Sequence, residues 1–209
     1  MDALQTSSYR HPSSQSAAES LSSYQNAASV LDMHISWPKT KIQNLGTGQP
    51  LSDVSVDTHH VECVDNFTYL GSVQSSDGYS RPDIRRRITL AASVMASLSN
   101  IWRDQRLSLS TKTRIYQTLV VSVLLYASET WTLLAADVKT LEAFHMKCQR
   151  QILRIRWQDH VRNDEVAAHT GLRPVMESIR RRREAIFGHV ARMSPNIPAH
   201  QALRLQVEA

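Results

Sequence analysis

The spacing of apolar residues changes near Gly78 from a period of two to a period of 3.6. Before that point, the segment NFTYLGSVQSSDG (66–78) alternates around a tight bend, which predicts a β-hairpin. After it, apolar residues recur three and four positions apart, which predicts amphipathic helices. We therefore expect an α+β fold that is mainly α, with antiparallel strands confined to about residues 34–75 and a helical bundle from about residue 80.

The chain before the hairpin divides into three parts. Residues 1–15 are rich in Ser, Gln and His without periodicity and predict a disordered start. Residues 16–33 predict a helix, whose apolar positions are Leu21, Tyr24, Ala28 and Leu31. The alternating segments HISWPKTKIQNLG (34–46) and LSDVSVD (51–57) predict a strand and a short edge strand.

Four long helices are predicted after Gly78, and a shorter one that Gly171 closes. The second helix opens at LSLSTKTRIY with Ser110 as its expected N-cap, and its run QTLVVSVLLYASETW is apolar on nearly all sides, so we expect it to be buried. The predicted ranges are about 80–103, 110–131, 136–155 and 174–193, with the short helix at 163–170.

The segment SIRRRREAIFGHV places four arginines in succession, Arg180 to Arg183. Four consecutive helical residues sweep about 300°, so the four side chains do not all share one solvated face. Arg183 follows Ile179 by four positions and precedes Ile186 by three, which predicts that its stem packs while its guanidinium reaches solvent, a carboxylate or a phosphate. The alternative is a solvated helix face balanced by Glu177 and Glu184.

Composition narrows the classes of partner and excludes several classes of site. The net charge of +5 favours an anionic partner, nucleic acid above all. Cys63 and Cys148 lie too far apart for a zinc module, and no disulfide framework is indicated. The N-terminal residues carry no apolar signal core and no apolar run approaches 18 residues, so we expect an intracellular protein, nuclear or cytoplasmic, that is neither secreted nor membrane-spanning.

Candidate catalytic and metal-binding residues are few. His59, His60 and Cys63 lack a fourth ligand at zinc spacing and are expected to be structural. The adjacent Asp164 and Glu165 are explained by the dipole at a helix start. GxxxxGK[ST], HExxH and GxSxG motifs are absent from the sequence.

Several segments together resemble the C-terminal part of LINE-type (non-LTR) retrotransposon reverse transcriptases, from about Ser16 to about Leu203. The family's order is kept across all of them, whereas a single motif such as YLGS would be weak alone. The segments are HISWPKTKIQNLG, DNFTYLGSVQSSDG, DIRRRITLAASVMASLSNIW, STKTRIYQTLVVSVLLYASETW, LEAFHMKCQRQILRIRWQDHVRNDEV and RRRREAIFGHVARM.

The resemblance implies roles for three sets of residues. The YLGS hairpin matches the family's primer grip, which holds the primer end, through Phe67, Tyr69, Leu70, Gly71 and Ser72. SWPKTK matches a palm motif whose lysine faces nucleotide phosphates, with Lys39 the first match and Lys41 the second; the alternative is a solvated charge at a strand end. The thumb's phosphate contacts would come from Arg85, Arg86, Arg87, Arg180, Arg181, Arg182 and Arg183.

The resemblance begins just after the point where the family places its paired aspartates. Those aspartates hold two magnesium ions in the parent enzymes, and this sequence has no such pair, so we expect no cofactor in this chain and no polymerisation by it alone. The implied regions are a disordered N-terminus (1–15), a partial palm with the hairpin (16–78), a thumb-like helical bundle (79–157) and a C-terminal helical region (158–209).

Three functions remain open at the level of sequence. The preferred one is a non-catalytic reverse transcriptase (RNA-directed DNA polymerase) remnant with sequence-independent affinity for an RNA or DNA primer-template. The second is a helical protein-interaction module. The third is the C-terminal piece of a longer, active reverse transcriptase.

Overall fold

The structure, a computed structural model, describes residues 14–45, 54–56 and 59–203. The prediction of disorder for residues 1–15 falls mostly on residues 1–13, outside the described part. Within the described residues the fold is mainly α with a small β component, as the periodicity predicts. The helices are α1 Ser14–Ser29, α2 Arg81–Ser97, α3 Ser99–Arg103, α4 Leu109–Ile115, α5 Ser122–Leu124, α6 Ala135–Leu153, α7 Asn163–Thr170, α8 Val175–Ala191 and α9 Pro198–Ala202.

The described strands form two separate antiparallel hairpins. The first pairs β1 (Val54–Val56) with β2 (His59–Val61), and the second pairs β3 (Asn66–Tyr69) with β4 (Ser72–Ser75). Both lie in the region where alternation predicts strands, and β1 lies inside the predicted edge strand at 51–57.

The predicted strand over HISWPKTKIQNLG is wrong. Residues Trp37–Lys39 form a 3-10 helix, and the described residues of that segment contribute only an isolated bridge from Ile42 to Cys63. Pro38 explains the difference, since its fixed φ and missing N–H suit the first turn of a helix and weaken a strand. Trp37 stacks on His59 with ring centroids 4.6 Å apart, so that histidine has a packing role.

Contacts between residues divide the chain into two compact units, Met1–Tyr79 and Ser80–Ala209. In the first unit, the apolar cluster around the fully buried Val61 has only half-buried neighbours, Ala18, Leu21, Trp37 and Ile42. Leu31 and Tyr24, predicted on the apolar face of a helix at 16–33, are 69% and 65% exposed, and Leu31 lies beyond the end of α1.

The second unit contains the main core. Its helices bury fifteen residues in one cluster, which are Ile84, Ala91, Met95, Trp102, Tyr116, Val120, Leu124, Leu125, Trp131, Leu141, Cys148, Ile152, Leu172, Val175 and Ile179. The amphipathic helices predicted at about 80–103 and 136–155 supply much of this cluster, so the helical period correctly indicated where the core lies. Within the described residues, no helix combines the length and apolarity needed to cross a membrane.

The second predicted helix differs from expectation at its start and in its middle. Ser108, rather than Ser110, is the N-cap, and its Oγ accepts the Thr111 N–H at 3.2 Å. Residues Tyr116–Val121 form a π-helix between α4 and α5. The predicted burial holds for Val120 but not for Leu119, which is 45% exposed.

Candidate nucleic-acid interface

The tip of the second hairpin is tight and exposed. Tyr69 pairs with Ser72, so the loop is only Leu70 and Gly71, with φ values of 48° and 78°. Two positive φ values match the right-handed twist of hairpin strands. Glycine adopts this conformation freely, whereas leucine does so rarely, which makes Leu70 a strained residue.

The hairpin residues differ in exposure. Tyr69 and Leu70 are 59% and 74% exposed, while Phe67, Gly71 and Ser72 are half-buried. An exposed aromatic ring beside an exposed leucine provides an apolar platform at the tip. The structure thus presents two of the five proposed primer-contact residues to solvent.

The two lysines of SWPKTK have different surroundings. Lys39 ends the 3-10 helix and is exposed. Lys41 donates from Nζ to Glu62 Oε2 at 2.6 Å, so its charge is already paired within the first unit. Lys39 therefore remains the better match for a phosphate contact.

The three consecutive arginines of α2 differ in how far they are buried. Arg85 is exposed, Arg86 is half-buried and Arg87 is buried. The Nε atom of Arg87 lies 3.7 Å from Asp83 Oδ1, and its guanidinium lies 4.3 Å from the Tyr126 ring centroid. Arg87 thus balances a buried carboxylate and stacks on an aromatic ring, and phosphate contact would require it to leave both.

Asp83 extends this arrangement to a second element. Its Oδ2 accepts the indole N–H of Trp131 at 2.9 Å, and the Asp83 carboxylate is completely buried. Nearby, Asp137 pairs with Arg81 at 3.0 Å and also accepts the Leu134 N–H at the start of α6. Sequence reasoning missed these carboxylates because Trp131 lies 48 positions from Asp83 and Arg81 lies 56 positions from Asp137.

The four arginines of α8 divide into two pairs. Arg180 and Arg181 are exposed and pair with Glu184 at 3.5 Å and Glu177 at 3.1 Å. Arg182 and Arg183 are half-buried.

The inner pair serves the fold. Arg182 donates to the backbone carbonyl of Leu125, just after α5 ends, and Arg183 donates to that of Trp131. Carbonyls beyond a helix end have no partner within the helix, and a guanidinium supplies one. The prediction that Arg183 reaches solvent, a carboxylate or a phosphate is thus corrected to a backbone carbonyl.

A buried polar cluster joins the π-helix Tyr116–Val121, α6 and the residues just before α8. The Tyr116 hydroxyl lies 2.8 Å from His145 Nδ1, and His145 Nε2 lies 3.1 Å from the Arg173 carbonyl oxygen. A carbonyl only accepts, so Nε2–H donates to it. Burial lowers the pKa of His145 and so favours the neutral imidazole, whose Nδ1 accepts from the Tyr116 hydroxyl.

Burial also makes the neighbouring groups poor nucleophiles. It raises the pKa of the Cys148 thiol to about 11 and raises the pKa of the Tyr116 hydroxyl as well. Since the thiolate is the reactive form of cysteine, Cys148 is suited to packing rather than to chemistry.

A further exposed feature lies between α6 and α7. Trp157 is 79% exposed, and with Arg150, His160 and Arg162 it lines an open depression of about 660 Å³. Sequence reasoning missed this residue. The available signal was a tryptophan among arginines, in RIRW, outside any apolar stripe.

Comparisons with known proteins give a limited set of similarities. Residues 95–126, from the end of α2 to just past α5, match DUF6451, a domain of unknown function. The chain is 22% identical over 194 residues to an uncharacterized transposon-derived protein of Caenorhabditis elegans, covering 87% of this chain and 67% of that protein. No solved structure matches the chain. The similarity supports a transposon origin.

Proposed function

We propose that this chain is the C-terminal part of a non-LTR retrotransposon reverse transcriptase and that it holds a nucleic-acid duplex through its phosphates without reading bases. The order of the matched segments and the transposon-derived relative support the origin. The main support for binding is that Arg180 and Arg181 are exposed on α8. Val175 and Ile179 anchor this helix in the core, so the two arginines are held at a fixed place on the surface.

The ion pairs of these arginines do not prevent phosphate binding. Arg180 and Arg181 pair with glutamates on their own helix, at the surface, where such pairs contribute about 0–1 kcal/mol. A phosphate that accepts two parallel N–H bonds from a guanidinium can replace such a partner. Arg85, exposed on α2, is the next candidate, followed by the half-buried Arg86.

Contacts of this kind suit a protein that must hold any sequence. Phosphate contacts fix position and orientation, and they carry no direct sequence information. Each neutralised phosphate contributes about 0.9 to the slope of log affinity against log salt on B-form DNA. The expected binding is therefore modest, independent of sequence and strongly salt dependent.

We do not assign the two-magnesium chemistry of reverse transcriptases to the described residues of this chain. Within the described residues, no group of three or more His, Cys, Asp or Glu side chains is placed to hold a metal ion. The residues present do not fit a two-metal polymerase site, so we derive no catalytic step for them. Polymerisation would belong to a longer product that includes this chain.

The binding is tested with the double variant Arg180→Gln, Arg181→Gln. Fluorescence anisotropy with labelled DNA duplex and RNA–DNA hybrid, measured across a salt series, should show a slope lower by about one to two units. The matched control is Arg106→Gln, Arg114→Gln, which removes the same charge from exposed residues outside α2 and α8. The control should keep the parent's slope.

Equal slopes for the α8 variant and the parent would overturn phosphate binding by Arg180 and Arg181. Equal losses in both double variants would show an effect of net charge alone and would contradict it as well. Because both mutated pairs are exposed, far-UV circular dichroism should show unchanged helix content in each variant.

A helical protein-interaction module is the second candidate, and one observation favours it. Ile186 and Phe187, on the C-terminal half of α8, are 48% and 60% exposed. Exposed apolar side chains on one helix suit a partner helix. Light scattering tests this candidate. It is favoured if the parent self-associates without binding duplex, and if an Ile186→Ser, Phe187→Ser variant no longer self-associates.

A further inference from the structure

Trp157 is the most exposed aromatic side chain of the described residues, at 79%. Tryptophan normally contributes its large surface to a core or an interface, and this chain buries Trp102 and Trp131 almost completely. Arg156 and Trp157 begin the 3-10 turn that follows α6, so the indole sits on a connection and not on a helix stripe. Its position makes this indole a candidate for contact with a partner.

The loop that carries Trp157 is fixed by its own hydrogen bonds. The Arg156 N–H donates to Asp159 Oδ2 at 2.6 Å, which closes the turn around the tryptophan. Arg154 before the turn and His160 after it have φ values of 60° and 52°. Non-glycine residues keep this conformation only where the surroundings determine it, so the ring is held out by a defined loop.

Arg150 ties this loop to α6. Its Nη2 donates to the Val161 carbonyl and to Asn163 Oδ1, both at 2.8 Å. The tie fixes the far side of the depression, where α7 begins at Asn163. The surface around Trp157 is therefore preorganised, which lowers the entropy cost of binding.

Apart from the indole and Val161, the lining of the depression is polar, with Arg150, His160 and Arg162 beside Asn163 and Asp164. Arg162 is exposed and pairs only at the surface, with Asp164 at 3.3 Å. A second depression of about 450 Å³ shares Arg150 and Asn163 with the first and adds Lys147 and Gln151, together with the apolar Ala143, Met146 and Ile155. The indole therefore lies among cationic side chains that continue beyond the first depression.

The residues around the indole favour a single-stranded nucleic acid over a protein as the partner. Protein hot spots place tryptophan in well-packed pockets, whereas here the aliphatic lining beside the ring is Val161 alone. Proteins that bind single strands combine basic grooves with aromatic rings on which bases stack. A base inside a duplex has its faces covered by its neighbours, so only an unpaired base can stack on this ring.

We propose that Trp157 stacks on one unpaired base of a single-stranded nucleic acid, while Arg162 contacts an adjacent phosphate. This site rests on the proposed nucleic-acid function and adds a second mode to it. The arginines of α8 bind duplex through phosphates alone, whereas Trp157 binds a single-stranded segment and needs its bases.

The test compares three labelled probes, which are a single-stranded DNA, the same strand without bases, and a duplex. Each is about 12 nucleotides long, a length that one small domain can contact. Trp157→Ala should weaken binding of the single strand about 5- to 150-fold, while Trp157→Phe keeps most of the affinity. Binding of the duplex and of the baseless strand should not change. Tyr24→Ala, which removes another exposed aromatic ring, is the matched control and should behave as the parent.

The outcomes separate this inference from the proposed function. Equal affinity of the parent and Trp157→Ala for the single strand overturns the stacking site, even if the duplex slope still depends on Arg180 and Arg181. Equal losses on the single strand and the baseless strand also overturn it, because stacking requires a base. Failure of the parent to bind any probe overturns both proposals.

Discussion

The two units of this chain differ sharply in how much apolar surface they bury. The helical unit from Ser80 onward has a core cluster of fifteen buried residues, whereas the apolar cluster of the unit before it has Val61 as its one fully buried member among the described residues. A domain with a small core gains little from hydrophobic burial against the entropy of the chain. The comparison teaches that hydrophobic burial contributes far more to the stability of the helical unit than to that of the first unit.

The comparison predicts its largest effect in the core of the helical unit. Trp102→Ala removes a buried ring whose indole N–H donates to the Met95 carbonyl at 2.8 Å. We expect a loss of about 3–5 kcal/mol in the free energy of unfolding, measured by urea denaturation at 222 nm. A loss below about 1 kcal/mol would show that this core does not carry the stability of the unit.

A slightly smaller effect is expected at the buried ion pair. Asp83→Asn keeps an acceptor for the Trp131 indole but removes the charge that balances Arg87. Since an uncompensated buried charge is strongly unfavourable, unfolding should become easier by about 3 kcal/mol. The exposed pair offers a control: Asp164→Asn beside Arg162 should cost less than about 1 kcal/mol. Similar costs at both sites would contradict the burial argument.

Lowering the pH should weaken the helical unit through His145. Burial lowers its pKa, so below its ordinary value near 6.5 the unfolded chain binds a proton that the folded chain does not. The free energy of unfolding therefore falls as the pH drops from 7.5 to 5.5, by at most about 1.4 kcal/mol per pH unit from this residue. His145→Gln should show a shallower pH dependence in urea titrations. An unchanged dependence would mean that His145 is not held neutral by the fold.

The smallest effect on the helical unit is expected from a substitution in the first unit. Val61→Ala removes methyl groups from the cluster of the first unit and should change the unfolding of the helical unit by less than about 0.5 kcal/mol. Hydrogen exchange should instead show faster exchange at the amides of β1 and β2. Loss of helix stability equal to that of Trp102→Ala would show one cooperative core in place of two.

The parts of the fold that follow from local pattern were accessible from the sequence. The 3.6 period predicted α6 and α8 to within about two residues, and alternation around Leu70 and Gly71 predicted the hairpin at Asn66–Ser75. The helix predicted at about 80–103 is divided at Leu98 into α2 and α3. Gly171 ends α7 at a φ of 64°, as a C-terminal glycine should. These features depend on neighbours within about four positions, which the sequence displays directly.

The candidate site was less accessible, because its arrangement depends on distant partners. Consecutive arginines in α8 look alike in sequence, yet Arg183 donates to a carbonyl 52 positions away while Arg181 pairs with Glu177 one turn before it. The helix geometry correctly indicated that the run does not share one face. It did not indicate which carbonyls the inner pair would find.

The π-helix at Tyr116–Val121 has a consequence for how this chain is compared with others. Its hydrogen bonds span five residues instead of four, so it holds one residue more than a plain α-helix between the same two ends. A relative with an uninterrupted α-helix here would align correctly only across a one-residue gap. Without that gap, every position after Val121 within the matched region 95–126 is shifted by one, and identities in the core go uncounted.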